Sequence, residues 1–219
     1  MKFPTPADWV RKRFAEHYIE WRQQRIAAIR QHYGDSFFAG KSLLELGCGY
    51  GDIGAVFAGL GAQVTCCDAR LEHLDIVAKR WPHLGTVQAD LNHEWPFDHY
   101  DVIFHLGVLY HLEPTHESLR RSCRSATHLV VESEVCDSTS PELVINTPEN
   151  GYDQAVDGAG CRPSAARIER VFADEGMVFE RVTDARCNSG IHTYDWPVRD
   201  TGRYQDGQRR FWFARKARS

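Results

Sequence analysis

The residues LLELGCGYGDIG, positions 43 to 54, constrain this 219-residue chain more than any other stretch. An apolar run ends at Glu45 and Leu46, and Gly47, Gly49 and Gly51 follow at alternate positions ahead of a helical segment. Strand, tight turn and helix start are therefore predicted in immediate succession. Glycines lack the Cβ atoms that would hold a nucleotide-sized ligand off the backbone, and the helix N-terminus beyond them offers N–H groups with no intrahelical partner. An adenosine-like ligand is expected at this turn.

The same residues contain GYGDIG, which fits the dinucleotide pattern with glycines at 49, 51 and 54. The register argues against that ligand. A dinucleotide fingerprint opens directly at the strand end and aims its helix at a pyrophosphate, whereas here the strand stops at Leu46 and the first turn glycine is Gly47. The series Glu45-x-Gly47-x-Gly49-x-Gly51 resembles motif I of the class I S-adenosylmethionine-dependent methyltransferases, whose cofactor has no phosphate.

Three further segments fall in the order such a fold needs. AQVTCCD is a β-rich run ending in Asp68, about twenty residues beyond the first glycine, where a carboxylate at a strand end can accept hydrogen bonds from both ribose hydroxyls; Ala69 follows it. GTVQADL brings Ala89, Asp90 and Leu91 to the end of a third strand, and the resemblance implies that Asp90 bonds the adenine amino group while apolar neighbours pack on the ring. YDVIFHLGVLYHL is a fourth, nearly all-apolar strand whose His105 and Leu106 correspond to the family segment beside the methionine end of the cofactor. The implied cofactor, S-adenosyl-L-methionine, would thus be held by Glu45, Gly47, Cys48, Gly49, Gly51, Asp68, Ala69, Ala89, Asp90, Leu91, His105 and Leu106.

The remaining pattern predicts an α/β fold, a seven-stranded, mostly parallel sheet with helices on both faces, and the resemblance implies that the last strand is antiparallel. Strands are expected at 42–46, 62–67, 85–89, 101–105 and from 128, helices at 52–60, 71–81 and within PTHESLRRSCRSA. RPSAARIERVFADEG reads as the next helix, MVFERVTD as strand six and QRRFWFARKA as strand seven. Residues 1–34 form a helical cap, in which Thr5, Pro6 and Asp8 read as a capping box and Trp9, Phe14, Tyr18, Trp21, Ile26 and Ile29 supply an apolar side. In resembling enzymes such a helix covers the cofactor, making Tyr18, Trp21 and Arg22 candidate lid residues. Residues 35–219 form the main domain, interrupted by two insertions at 136–161 and 185–207. Parallel strands deliver their C-terminal loops to one edge, so both insertions are expected over the same mouth.

Methyl transfer needs the acceptor atom aligned behind the sulfonium carbon, and a base only where that atom is protonated and weakly acidic. His111, in LYHLEP after strand four, is the leading candidate base, with His192 second and Tyr194 beside it in a loop that also carries Asp195 and Trp196. Satellite packing would give the same loop pattern. GVLYHLEP also resembles the corresponding segment of the tRNA wobble-uridine carboxymethyltransferases, a remote likeness, since the basic N-terminal region of that family has no evident counterpart here.

Composition narrows the class. Apolar residues make up 42% and charged residues 26%, an ordinary soluble balance with no run near the ~20 apolar residues of a membrane span and no signal peptide in MKFPTPADW. A cytoplasmic protein is expected. Seven cysteines without a C-x-x-C pair read as reduced thiols, with Cys66 and Cys67 on opposite faces of a strand, and 11 histidines without H-E-x-x-H spacing suggest no catalytic metal. A net charge of -4 speaks against nucleic acid, although Arg11, Lys12, Arg13, Arg22, Arg25 and Arg30, and again Arg209, Arg210, Arg215, Lys216 and Arg218, are local basic clusters. The reading is a methyltransferase for a small-molecule or peptide acceptor. Its alternatives are an RNA-modifying methyl or carboxymethyl transferase and a non-catalytic cofactor-binding module; oligomeric state is left open.

Overall fold

The computed structural model describes Lys12 and residues 18–114, 116–151 and 154–217. The proposed capping box at Thr5, Pro6 and Asp8, and the aromatics Trp9 and Phe14, lie outside the described residues. The elements, in chain order, are α1 (Ile19–Tyr33), β1 (Ser42–Leu46), α2 (Asp52–Gly59), β2 (Gln63–Asp68), α3 (Leu71–Arg80), β3 (Gly85–Gln88), β4 (Tyr100–Leu106), α4 (Glu117–Ser125), β5 (Ala126–Glu134), β6 (Val144–Pro148), β7 (Ala159–Pro163), α5 (Ala165–Asp174), β8 (Met177–Arg181) and β9 (Arg209–Lys216).

Seven strands form one sheet in the order β3-β2-β1-β4-β5-β9-β8, with β9 antiparallel to both neighbours and the first five parallel to one another. The order reverses between β1 and β4. In an open α/β sheet that reversal opens a crevice beyond the strand C-termini, because the loops on either side diverge to opposite faces.

Period-two alternation divides the core. Leu43, Cys66, Phe104, Val130, Phe211 and Phe213 pack against α1, α2 and α3, while Leu44, Leu46, Cys67, Ile103, Val131 and Trp212 pack against α4 and α5. Cys66 and Cys67 thus face opposite sides, as the strand reading predicts. Every one of these twelve side chains is at most 3% exposed, so the strands are buried on both faces and read as continuous apolar runs.

Turn chemistry fixes the joints. α5 starts at Ser164, whose hydroxyl accepts the Arg167 N–H at 3.0 Å. α3 ends at Arg80, two residues before Pro82.

The two insertions are built differently. The first carries a separate antiparallel hairpin, β6–β7, which the sequence reading did not predict. The second wraps back onto the start of the first, where Asp137 accepts N–H groups of Arg199, Asp200 and Thr201 at 2.8, 3.1 and 3.3 Å. Asp200 returns the bond by accepting from Thr139 N–H and the Ser138 hydroxyl at 2.8 and 3.0 Å. Backbone amides held this way need no regular strand pairing to be satisfied.

Candidate active site

The crevice at the switch point is a cavity of about 160 Å³ whose floor is the glycine turn. Gly47 sits at φ +64°, and a Cβ there would come within 2.8 Å of Val108, so only glycine allows the β1 and β4 loops to meet. Gly54 serves packing instead, since a Cβ would lie 2.7 Å from Glu45 Oε2, which accepts the Gly54 N–H at 2.9 Å. The third glycine of GYGDIG therefore seats α2 on β1.

Carboxylates set the character of this cavity. Asp68, at the end of β2, accepts the Gly49 N–H at 2.9 Å and the Arg70 N–H at 3.0 Å, which fixes the turn; it lies 3.3 Å from His73 and lines the cavity. Asp52, the first residue of α2, also lines it, at the position where a dinucleotide enzyme would seat its pyrophosphate. Glu45 is 3% exposed, and burial, only partly offset by the Gly54 N–H and Arg25, raises its carboxyl to about 7. Carboxylates at positions 45, 52, 68 and 90 line this cavity together with Arg22, Arg25 and Arg70, with Asp52 paired to Arg22 and Arg80, a mixed set that suits a zwitterionic nucleoside. Apolar walls from Ala69, Ala89, Leu91 and Leu106 complete a surface fitting an adenine.

Tyr18, just before α1, and Trp21 and Arg22 within it line the same cavity; Arg22 is also paired with Asp52 at 3.1 Å. Two expected cofactor contacts are not there. His105 points from β4 to the opposite face of the sheet, where it is fully buried, bonds Ser118 of α4 at 3.2 Å and is pushed down by burial to about 3. Strand alternation is the reason: its neighbour Leu106 takes the cavity side. Gly51 caps α2 at φ +72°, and a Cβ on it would press on Val77 of α3 at 3.1 Å rather than on a ligand.

A second cavity, about 320 Å³, opens beside the first. Tyr18, Trp21, Tyr110, His111 and Gln154 line both and so form their shared wall. Around the second cavity runs an alternating chain of buried charges. Arg25 Nη1 lies 3.4 Å from Glu132; Arg209 bridges Glu132 and Glu134 at 2.8 and 3.0 Å; Arg162 bridges Glu134 and Glu149 at 2.5 and 2.7 Å. The chain ends at His111, whose Nδ1 bonds Glu149 Oε2. Burial works to raise the Glu149 carboxyl, but the bonds from His111 and Arg162 outweigh it and hold it below its ordinary range. Three arginines against three glutamates leave no net charge in the chain. Each charge is tolerated in a buried place because it has at least one opposite neighbour.

The topology explains how five distant segments meet. Glu132 and Glu134 are two apart on β5 and share the face toward α1, Arg209 pairs with Glu134 across the β5–β9 ladder, and Arg162 ends the hairpin. Gly160, opposite them, has no room for a Cβ, which would sit 2.5 Å from the Tyr110 carbonyl.

The loop HTYDW sends its side chains to separate places. His192 lines the second cavity with its ring 4.4 Å from Trp21. Tyr194 lines neither cavity: it is 1% exposed, accepts the Trp21 indole N–H at 2.7 Å and donates to Glu132 at 3.0 Å. The catalytic expectation for Tyr194 is corrected to a supporting one, since its hydroxyl is enclosed and burial drives its ionisation well above the ordinary range. Asp195 bonds Asn188, and Trp196 lies under Arg210 on the far core. Glu134, Glu149, Arg162, Arg209, Tyr110 and Tyr204 were not anticipated; two glutamates at alternate positions in the apolar run HLVVESEV were the available signal. Asp90, His93 and Asp157 bring ligand-type atoms within 4.8 Å of one another at the rim of the first cavity.

Among known proteins, the family described as "Methyltransferase domain" matches residues 43–128. No curated protein matches the sequence at a significant level. Among solved structures, the N-terminal domain of EvdMO1, crystallised in the presence of S-adenosylhomocysteine and D-fucose, is similar at 14% identity and TM-score 0.68, over 91% of this chain and 84% of that one. An S-adenosylmethionine-dependent methyltransferase from Mesorhizobium loti matches at 15% identity and TM-score 0.63, over 88% and 98%. The 1,6-didemethyltoxoflavin-N1-methyltransferase of Burkholderia thailandensis matches at 16% identity and TM-score 0.57, over 100% and 94%. Residues 43–128 thus match a methyltransferase domain, and the chain as a whole shares the fold of S-adenosylmethionine-dependent methyltransferases.

Proposed function

We propose that the enzyme methylates a small polar molecule held in the second cavity, with the cofactor in the first and His111 as general base. The observation that carries this reading is the shared wall, because a group in that wall touches both ligands at once. The bound cofactor supplies an activated methyl group on a sulfonium. Asp68 and Asp90 orient the nucleoside, Asp68 by accepting from the ribose, while Glu45 and the Gly47–Gly49 backbone face its amino-acid end. Glu149 holds the Nδ1–H of His111, which presents Nε2 for the acceptor proton and stabilises the imidazolium that results. A positioned base of this kind contributes roughly 10²- to 10⁴-fold. Trp21 and Tyr18 keep water from the junction, and α1 acts as the cap. The excursions at 136–161 and 185–207 supply the acceptor side, through Gln154 and through His192, Tyr204 and Asp206 respectively.

Several solved relatives are named for small molecules, including 1,6-didemethyltoxoflavin and magnesium protoporphyrin IX, which supports an acceptor of that size. The RNA-modifying alternative is weakened by the described basic residues. Arg25, Arg209 and Arg210 are at most 4% exposed, and Arg22 and Arg30 are paired with Asp52 and Asp35. A cytoplasmic site of action accords with seven free, buried thiols. No described helix is long and apolar enough to cross a membrane.

The deciding experiment is transfer of labelled methyl from S-adenosylmethionine into a cell extract divided into small-molecule, protein and RNA fractions. Label is expected in the small-molecule fraction, falling at least about tenfold with His111→Ala while S-adenosylhomocysteine affinity stays within about twofold. Label confined to RNA or protein would overturn the acceptor class. Undiminished transfer by the variant would remove His111 from the chemistry.

A further inference from the structure

Resting on the reading above, we infer that the second cavity takes a neutral, polyhydroxylated ring of the sugar type and that the methyl group goes to one of its hydroxyls. Charge is the first argument. The two arginines in the cavity wall are already neutralised, Arg162 by Glu134 and Glu149 and Arg209 by Glu132 and Glu134. The other carboxylate in the wall is Asp206, exposed at the rim, so an anionic acceptor would find no uncommitted guanidinium among the described residues lining the cavity and one repelling group. An amine would find Glu134 equally committed.

Surface chemistry is the second argument. Small-molecule pockets are usually lined mainly by apolar side chains, whereas this wall is mostly polar, with Tyr18, Trp21, Tyr110 and Tyr204 among its ring-bearing members. Guanidinium and carboxylate groups that already share a network can still donate and accept at their remaining positions, which matches the rim of hydroxyls on a sugar. Tyrosine and tryptophan rings match its C–H faces. A volume of about 320 Å³ is at the lower end for ligand sites and accommodates a single substituted ring.

The base is the third argument. Alcohol hydroxyls are weakly acidic and need a proton acceptor, which an amine nucleophile already deprotonated would not. In the transfer, the acceptor oxygen forms the bond to the methyl carbon and the carbon–sulfur bond breaks with its electron pair going to sulfur. The hydroxyl proton passes to His111 Nε2, and the products are a methyl ether and S-adenosylhomocysteine.

Saturation-transfer NMR tests this on the full chain loaded with S-adenosylhomocysteine. The probes are neutral aldohexoses and 6-deoxyaldohexoses, compared with the matching hexuronic acids and hexosamines. At least one neutral sugar is expected to bind, its uronic acid at least about tenfold more weakly by the usual cost of one unpaired buried charge contact, and Tyr204→Ala should abolish the signal. Asp206→Asn, at an exposed position, keeps the test open should Tyr204→Ala fail to fold: it should alter sugar binding and leave S-adenosylhomocysteine affinity unchanged. Binding of S-adenosylhomocysteine with no neutral sugar bound, or with the acid or amine bound more tightly, would overturn the inference and leave the methyltransferase reading standing. Failure to bind S-adenosylhomocysteine would instead remove that reading and this one with it.

Discussion

The two cavities meet at one wall but are built on opposite principles. The first rests on backbone and on single carboxylates at strand ends: Gly47 and Gly49 in the turn, Asp68 after β2, Asp90 after β3. The second rests on side chains that hold one another, a run of Arg25, Glu132, Arg209, Glu134, Arg162, Glu149 and His111 drawn from separate segments. A site made of strand ends inherits its geometry from the sheet, and changing one side chain removes one contact. A site made of mutually paired buried charges has no such independence. Removing one member strands its neighbours in a place where they cannot be hydrated.

That contrast can be broken most sharply at Arg209, which is 3% exposed and joins two glutamates. Arg209→Met should cost about 3–5 kcal/mol in chemical denaturation. A loss below about 1 kcal/mol, the value of exposed pairs, would mean that the chain is a set of independent contacts. Next in size is Glu149→Gln, which keeps the shape but removes the charge behind His111. Turnover should fall roughly tenfold, one charge-assisted hydrogen bond's worth, with cofactor affinity unchanged; a drop in affinity instead would assign Glu149 to the first cavity. The smallest effect belongs to Glu45. Its folded value of about 7 lies above its ordinary 4.5, so its contribution to stability is complete below pH 4.5 and lost as pH rises through 7. A cationic cofactor favours the carboxylate, so affinity should rise severalfold between about pH 5.5 and 7.5 with release of part of a proton. Calorimetry in buffers of different ionisation enthalpy would read that proton, and Glu45→Gln should abolish it.

Legibility followed the same division. The glycine series, Asp68 and Asp90 are each local in sequence, and the strand–helix alternation that positions them is set by periodicity within single segments. All seven sheet strands were therefore readable, and the antiparallel direction of the last came from the family resemblance. His105 was misplaced because choosing a face requires knowing the register of β4, and neighbouring residues take opposite faces. The second cavity was hidden for a deeper reason. Arg209 and Arg210 look like a basic surface cluster in the sequence, and only the β5–β9 pairing turns them inward, Arg209 against Glu132 and Glu134. Likewise Glu149 and Arg162 sit 13 positions apart at opposite ends of a hairpin that carries no strong strand signal.

The claim on which everything rests is that the Gly47–Gly49 turn and Asp68 hold a sulfonium nucleoside, and titration calorimetry of S-adenosylhomocysteine into the unmodified chain and Asp68→Ala tests it most directly. Saturable, roughly micromolar binding is expected, weakening by about 10- to 100-fold in the variant, the range for hydrogen bonds to a charged group, with a melting control to show that the variant is folded. No heat with the unmodified chain, or equal affinity in a folded variant, would contradict it.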